Sequence, residues 1–387
     1  MTLPQANYLL TLESIRDRCG QVYSKAQTQQ LQYFDIDESK LDVVIDHVAD
    51  VTQRRFSDLS SIPPHSRLRH FSALDELRAK WKALDRKEQA RRLIDLVVVS
   101  VLLDAGAGQA WKYKTSDNRT VGRSEGLAIA SQDMFMQGYF SSDKNIPDRV
   151  DDRMTEGFQV TSTNPIVGLE GRSNLLKRLA DVLRTQSRYF PASESQSARP
   201  GNLVDYLDGH ITDGTLAIDY LWIAVMSLSE MWSGRVEDKG NHENLVPFHK
   251  LSQWLTYSLI ECLEVSLGIK VLGTEKLTGL PEYRNGGLLI DHGLLKLKPA
   301  EIQRGTINGE EFPTFEGADP LIVEWRALTV AYLDLIHKGL EKKFGQSLAL
   351  AQVLEGGTWT AGREIAARLR PDLAGPPIVT KSDGTLF

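Results

Sequence analysis

A mainly α protein with minor β content is the fold class this chain predicts, on three observations. Apolar residues recur every three to four positions over most of its length. Helix-start pairs such as Asp85 with Glu88 precede several of these stretches, and strand-like alternation is scarce. Hydrophobic residues make up 41% and charged residues 25% of 387, which is ordinary for a soluble globular chain with a large core.

The first helices are expected from Leu9 to Val22 and from Leu41 to Val51, the latter after the capping run Asp35-Ile-Asp-Glu38. Ser72 with Asp75, and Asp85 with Glu88, have the spacing at which a side-chain oxygen satisfies early helix amides, so helices should begin near both. The second should run through Leu93 to Leu103, the longest apolar stretch, and end at Asp104 to Gly106. That stretch is far short of the roughly 20 residues a membrane span requires and reads as a buried helix.

Further helices are expected at 124–139, 173–183, 218–231, 248–267, 319–344 and 360–370. Residues 190–202, rich in Ser, Pro and Ala, read as an exposed loop and an internal boundary. It separates an N-terminal helical region, 1–190, from a C-terminal one, 203–387, although one continuous domain also fits. Residues 288–315 look extended or irregular, and the Pro-rich end from Pro376 reads as a docked strand or tail.

A net charge of -6 without an evident basic stripe argues against binding to nucleic acid, which needs cations to displace counterions from phosphates. A small anionic substrate needs only a local arginine cluster. The first residues lack the basic and apolar regions of a signal peptide, so a cytoplasmic protein is the expectation, and no membrane partner is implied. Cys19 and Cys262 fit neither a disulfide framework nor a zinc site and read as buried free thiols. Walker A, HExxH and GxSxG motifs are absent, and Gly106-Ala-Gly follows a helix rather than the strand a dinucleotide loop requires.

Chemistry is expected in the segment 248–295, where Lys250, Glu282, Arg284 and Asp291 surround the adjacent glycines Gly286 and Gly287. Glycine is costly inside a helix or strand, so the pair signals a sharp turn or a close backbone approach. Glu282 and Asp291 flank it, and two carboxylates in different environments are common equipment for hydrolysing an acetal-like bond. Lys250 and Trp254 share one helix face, where the lysine serves either as a solvated residue or as a positioned cation.

Two more stretches admit both a functional and a structural reading. In an extended segment Arg67 and Arg69 would point the same way and clamp a phosphate, or they form a basic surface turn. Trp111 and the run Gly122-Arg-Ser-Glu-Gly126, with Arg123 and Glu125, form a pocket wall or an ordinary helix entry.

The ordered blocks His65-Ser-Arg-Leu-Arg-His-Phe71, Arg123-Ser-Glu-Gly-Leu127, Asn164-Pro-Ile-Val-Gly-Leu-Glu-Gly-Arg172, Phe248-His-Lys-Leu-Ser-Gln-Trp-Leu255, Thr278-Gly-Leu-Pro-Glu-Tyr-Arg-Asn-Gly-Gly287, Leu354-Glu-Gly-Gly-Thr-Trp359 and Ser382-Asp-Gly-Thr385 cover nearly the whole chain. In them the chain resembles the fungal and bacterial uracil-catabolism protein family. The resemblance implies a hydrolase of ribosylurea or its 5′-phosphate that releases urea. Lys250 in Phe-x-Lys, with Glu282-Tyr-Arg284 after it, is similar to the arrangement in the queuosine-nucleotide salvage hydrolases, which have aspartate at the acid position. That similarity implies an N-glycosidic bond and a fold resembling helix-hairpin-helix DNA glycosylases.

On this reading Glu282 stabilises positive charge on the sugar, Asp291 binds ribose hydroxyls or activates water, and Lys250 orients Glu282 and holds it ionised. The proton donor to urea is His249, His292 or Lys250. Arg67, Arg69, Arg123 and Arg284 are candidates for phosphate and positioning, with Glu125 and His249 beside them, and Trp111 or Trp254 covers the sugar. The partner is a small nucleoside or nucleotide derivative, and neither metal nor other cofactor is required; the sequence leaves the oligomeric state open. Two other classes stay open: a metal-dependent amidohydrolase using His249, Asp291 and His292, and a non-catalytic nucleotide-binding regulator.

Overall fold

Side-chain caps begin several helices close to where the sequence places them. Asp85 accepts from the Glu88 amide at 2.9 Å, and Asp319 accepts from the Leu321 amide at 2.9 Å. Ser72 does not cap: its hydroxyl bonds Gln132, and Ala73 stands before the helix that begins at Leu74. The computed structural model describes residues 3–108, 110–140, 150–192, 197–228, 245–372 and 374–381.

In chain order the helices are α1 Leu3–Leu9, α2 Leu12–Gln27, α3 Leu41–Arg55, α4 Leu74–Trp81, α5 Arg86–Leu102, α6 Arg123–Met136, α7 Val150–Gly157 and α8 Leu169–Thr185. They continue with α9 Leu203–Asp208, α10 Ile218–Ser227, α11 Lys250–Leu267, α12 Tyr283–Asp291, α13 Pro299–Gly305, α14 Pro320–Phe344, α15 Leu350–Val353 and α16 Trp359–Leu369. Between the last two, Leu354–Thr358 winds as a π-helix. The protein is mainly helical, with small two-stranded sheets. No helix among the described residues is long and apolar enough to cross a membrane.

The chain divides into two units, each discontinuous in sequence. The first comprises Met1–His65, Glu237–Gln253 and Glu275–Lys381. Its centre is α14, which packs against α2, α3 and α12 and buries Leu321, Trp325, Leu328, Tyr332 and Ile336 in one apolar core. Phe34 pairs with Leu297 in an antiparallel ladder, and Thr314 pairs with Val379 in a parallel one, so the Pro-rich end does dock as a strand as far as Lys381. Residues beyond it lie outside the described residues. The irregular stretch expected at 288–315 contains the end of α12, a strand at Leu295–Leu297 and α13.

The second unit is drawn from Ser66–Val236 and Trp254–Thr274. The apolar run expected to be a buried helix is the core of α5, sealed on several sides by α6, α8 and α9. Residues 190–202 fall inside this unit rather than at its edge. Their described end is not exposed: Pro200, Gly201 and Asn202 are buried, and the Gly201 amide donates to Asp95 at 2.7 Å. Of the helix expected at 218–231, residues 229–231 lie outside the described residues. Cys19 and Cys262 are buried free thiols.

Candidate functional site

Lys250 and Glu282 meet in the first unit, with Nζ and Oε1 3.8 Å apart and each side chain partly buried. Glu282 is the N-cap residue of α12, yet its carboxylate does not turn back to the helix amides. It projects instead toward the ammonium, at the helix end where the backbone dipole favours negative charge. A tight backbone turn sets its direction, the Glu282 amide donating to the Leu280 carbonyl at 2.8 Å.

A buried glutamine ties the two segments together. Gln253 accepts from the Thr278 amide at 2.8 Å and donates to the Thr278 hydroxyl at 2.9 Å and the Phe248 carbonyl at 3.1 Å. One amide therefore fixes the backbone just before Lys250 to the loop that leads into Glu282. Sequence reading missed it because helical spacing alone does not separate a clamp from a core polar residue.

Three helices grip this place through glycine. A Cβ on Gly279 would lie 2.5 Å from Leu333 of α14, and one on Gly286 would lie 2.8 Å from Trp325. A Cβ on Gly362 of α16 would lie 2.3 Å from the Arg284 carbonyl oxygen. Gly286 and Gly287 thus sit in the interior of α12 and not in a turn, and close packing is the reason they are tolerated there.

Asp291 is set apart from Glu282. It ends the same helix, and Arg370 holds both of its carboxylate oxygens at 2.8 and 2.5 Å in a nearly buried pair. Next to it, His292 Nε2 and His47 Nδ1 are 2.8 Å apart. Burial pushes the His292 pKa down to about 4, with His47 and Arg368 adding to the effect, and His47 is lowered by burial as well. Both rings are therefore neutral near pH 7.

His249 precedes Lys250 in the left-handed region, at φ 43°. Its Nε2 lies 2.7 Å from the Leu9 carbonyl, which can only accept, so the ring carries its proton there. Burial lowers its pKa and keeps it neutral. His249, Asp291 and His292 are each engaged with a different neighbour, and among the described residues no three His, Cys, Asp or Glu side chains gather as metal ligands.

Arg284 is buried, donates to the Ala374 carbonyl at 2.8 Å and lies over the Tyr283 ring. Tyr283 itself is half exposed beside Glu282. Arg326 stacks 4.4 Å from the centroid of Phe248, and burial brings its pKa down to about 10.

The remaining candidates belong to the second unit, where the structure gives Arg67, Arg69 and Trp111 scaffold partners. Arg67 and Arg69 lie in a 3-10 turn, Arg67–His70, and not in an extended segment, so their side chains do not share a face. Arg67 is fully buried, 2.9 Å from Asp104 and bonded to Ser100 and Ser124, while Arg69 pairs with Glu261. Trp111 is also fully buried, its indole N–H donating to the Phe158 carbonyl at 2.8 Å. Trp254 is buried, and Arg123 and Glu125 are exposed at the start of α6. The polarity of these side chains was legible in the sequence, but their carboxylate and carbonyl partners are distant along it.

The site is thus a partly buried carboxylate and ammonium at a helix start in a largely helical protein. Residues 8–387 match the family described as "Protein of unknown function (DUF1688)", and the chain belongs to that family. It is 39% identical to "Uracil catabolism protein 4" of Lachancea kluyveri and 40% identical to "Protein urg3" of Schizosaccharomyces pombe, each over 98% of both chains.

Proposed function

We propose that this protein acts in uracil breakdown as an N-glycosidic hydrolase of ribosylurea or its 5′-phosphate, releasing urea and the sugar. The printed name of the Lachancea relative supports the pathway, and a helical arrangement of the helix-hairpin-helix glycosylase kind is part of the same proposal. The observation that carries the reaction is the Lys250–Glu282 pair, clamped by Gln253 and Thr278.

As the bond from C1′ to the urea nitrogen breaks, its electron pair leaves with the nitrogen and positive charge develops on the sugar. Glu282 stabilises that charge, an effect of about 2.7–4 kcal/mol for a preorganised group shielded from water. Urea departs as a neutral molecule once its nitrogen is protonated. Of the three donors open from sequence, His249 is neutral and already donates its ring N–H to the Leu9 carbonyl, and His292 is neutral and paired at the far end of α12. Lys250 is the donor in this proposal. Water then adds to C1′, and its proton restores the ammonium.

Tyr283, exposed beside Glu282, takes the sugar-covering role in place of the buried Trp111 and Trp254. Asp291 is reassigned from catalysis to anchoring α12 through Arg370. The test is urea release from ribosylurea and its 5′-phosphate by the wild type and by Glu282→Gln. Release that vanishes in the variant supports the reading, and equal release by both defeats it.

A further inference from the structure

Within the second unit a cavity of about 200 Å³ opens between α4, the start of α5 and the last turn of α11. Arg78 and Arg86 line it, together with Trp81, Gln89, Ser266 and Gly268. Neither arginine is paired with a carboxylate among the described residues, and no acidic side chain lines the cavity. This contrasts with Arg91, Arg92 and Arg199 of the same unit, each of which is paired. Two guanidinium groups lining one cavity produce a local positive potential in a chain of net charge -6, because the low-dielectric lining focuses the field. Their planar forks match the oxygens of a phosphate.

The carboxyl end of α11 adds a different character, and Arg86 lies against it, since a Cβ on Gly268 would be 3.5 Å from its Nη1. Ser266 and Gly268 lie at the carboxyl end of α11, where the last helix carbonyls have no intrahelical donor and accept from hydroxyl groups. Trp81, which is buried, adds a flat apolar surface to the lining. The volume corresponds to roughly seven water molecules, which suits a small phosphate monoester rather than a dinucleotide. We propose that this cavity is a second binding site, for a phosphorylated sugar of about pentose size. Its phosphate would lie on Arg78 and Arg86 and its hydroxyls on Ser266 and the end of α11.

The site does not depend on the hydrolase reading, and its test measures binding, not turnover. Calorimetric titration of the full chain would use ribose 5-phosphate, with inorganic phosphate as the second probe. A Lys250→Met background removes the ammonium of the catalytic candidate. The expected result is binding that persists in Lys250→Met, is at least tenfold tighter for the sugar phosphate than for phosphate, and weakens at least tenfold when Arg78→Ala and Arg86→Ala are added. Both arginines are exposed, so the core is left intact by their removal. Unchanged affinity in that variant, or no binding of either probe at millimolar concentration, overturns the proposal. Equal affinity for the two probes, lost with the arginines, overturns its sugar half.

Discussion

Glu282 and Asp291 stand at opposite ends of one nine-residue helix, which places them about 13 Å apart along its axis. A paired-carboxylate glycosidase keeps its two acids within roughly 5–9.5 Å. On the proposed reading the two residues have separate tasks, and Glu282→Gln alone should lower urea release about 100- to 1000-fold. Steady-state assays with the thermal midpoint measured in parallel check this, because the Gln side chain leaves the scaffold bonds in place.

Lys250→Arg separates charge from proton donation. Arginine keeps the cation but does not release a proton near neutral pH. Turnover of ribosylurea should remain low in this variant, while a riboside whose leaving group departs as a stable anion, such as a nitrophenolate, should regain most of its rate. Loss of both activities would leave Lys250 as a positioning residue only.

Gln253→Leu keeps the volume but strands the buried Thr278 amide. That should cost about 1–3 kcal/mol of stability by urea denaturation. It should also lower kcat more than it raises KM, because Lys250 and Glu282 lose their common tether.

Arg370→Ala leaves the Asp291 carboxylate buried without its partner and should destabilise the protein by about 3–5 kcal/mol. In Arg370→Ala/Asp291→Asn much of that loss should return, as denaturation midpoints would show. If the single variant is neutral, the anchoring role of Asp291 fails.

The His47–His292 pair makes a signed pH prediction. Both pKa values are lower in the folded chain than the ordinary imidazole value, that of His292 at about 4. The unfolded chain therefore binds more protons between about pH 6.5 and pH 4, and this pair removes stability as pH falls through that window. Replacing both histidines with glutamine should flatten this part of a plot of unfolding free energy against pH.

Most helices were legible because apolar period and caps are local signals, as Asp85 and Glu88 show. The Lys250–Glu282 pair was also legible, through spacing and family likeness. Helix α12 was not, since Gly286 and Gly287 argue against a helix until Trp325 and Thr329 are seen pressed against the bare backbone. Nor did anything near Arg67 announce Asp104, or anything near Asp291 announce Arg370. Buried ion pairs join residues that only tertiary structure brings together, so Arg67 and Asp291, which resembled ligand contacts in sequence, are ion-paired within the protein.

The interleaving of the units imposes an order on biosynthesis. Phe34 must pair with Leu297, and α2 and α3 must pack on α14, so the N-terminal stretch waits for partners made about 300 residues later. At about 5–20 residues per second that is a delay of roughly 15–60 s on the ribosome. During it, apolar faces such as Val44, Val48 and Val51 have no native cover from α14. The first unit, which carries Lys250 and Glu282, can close only when nearly the whole chain has been made.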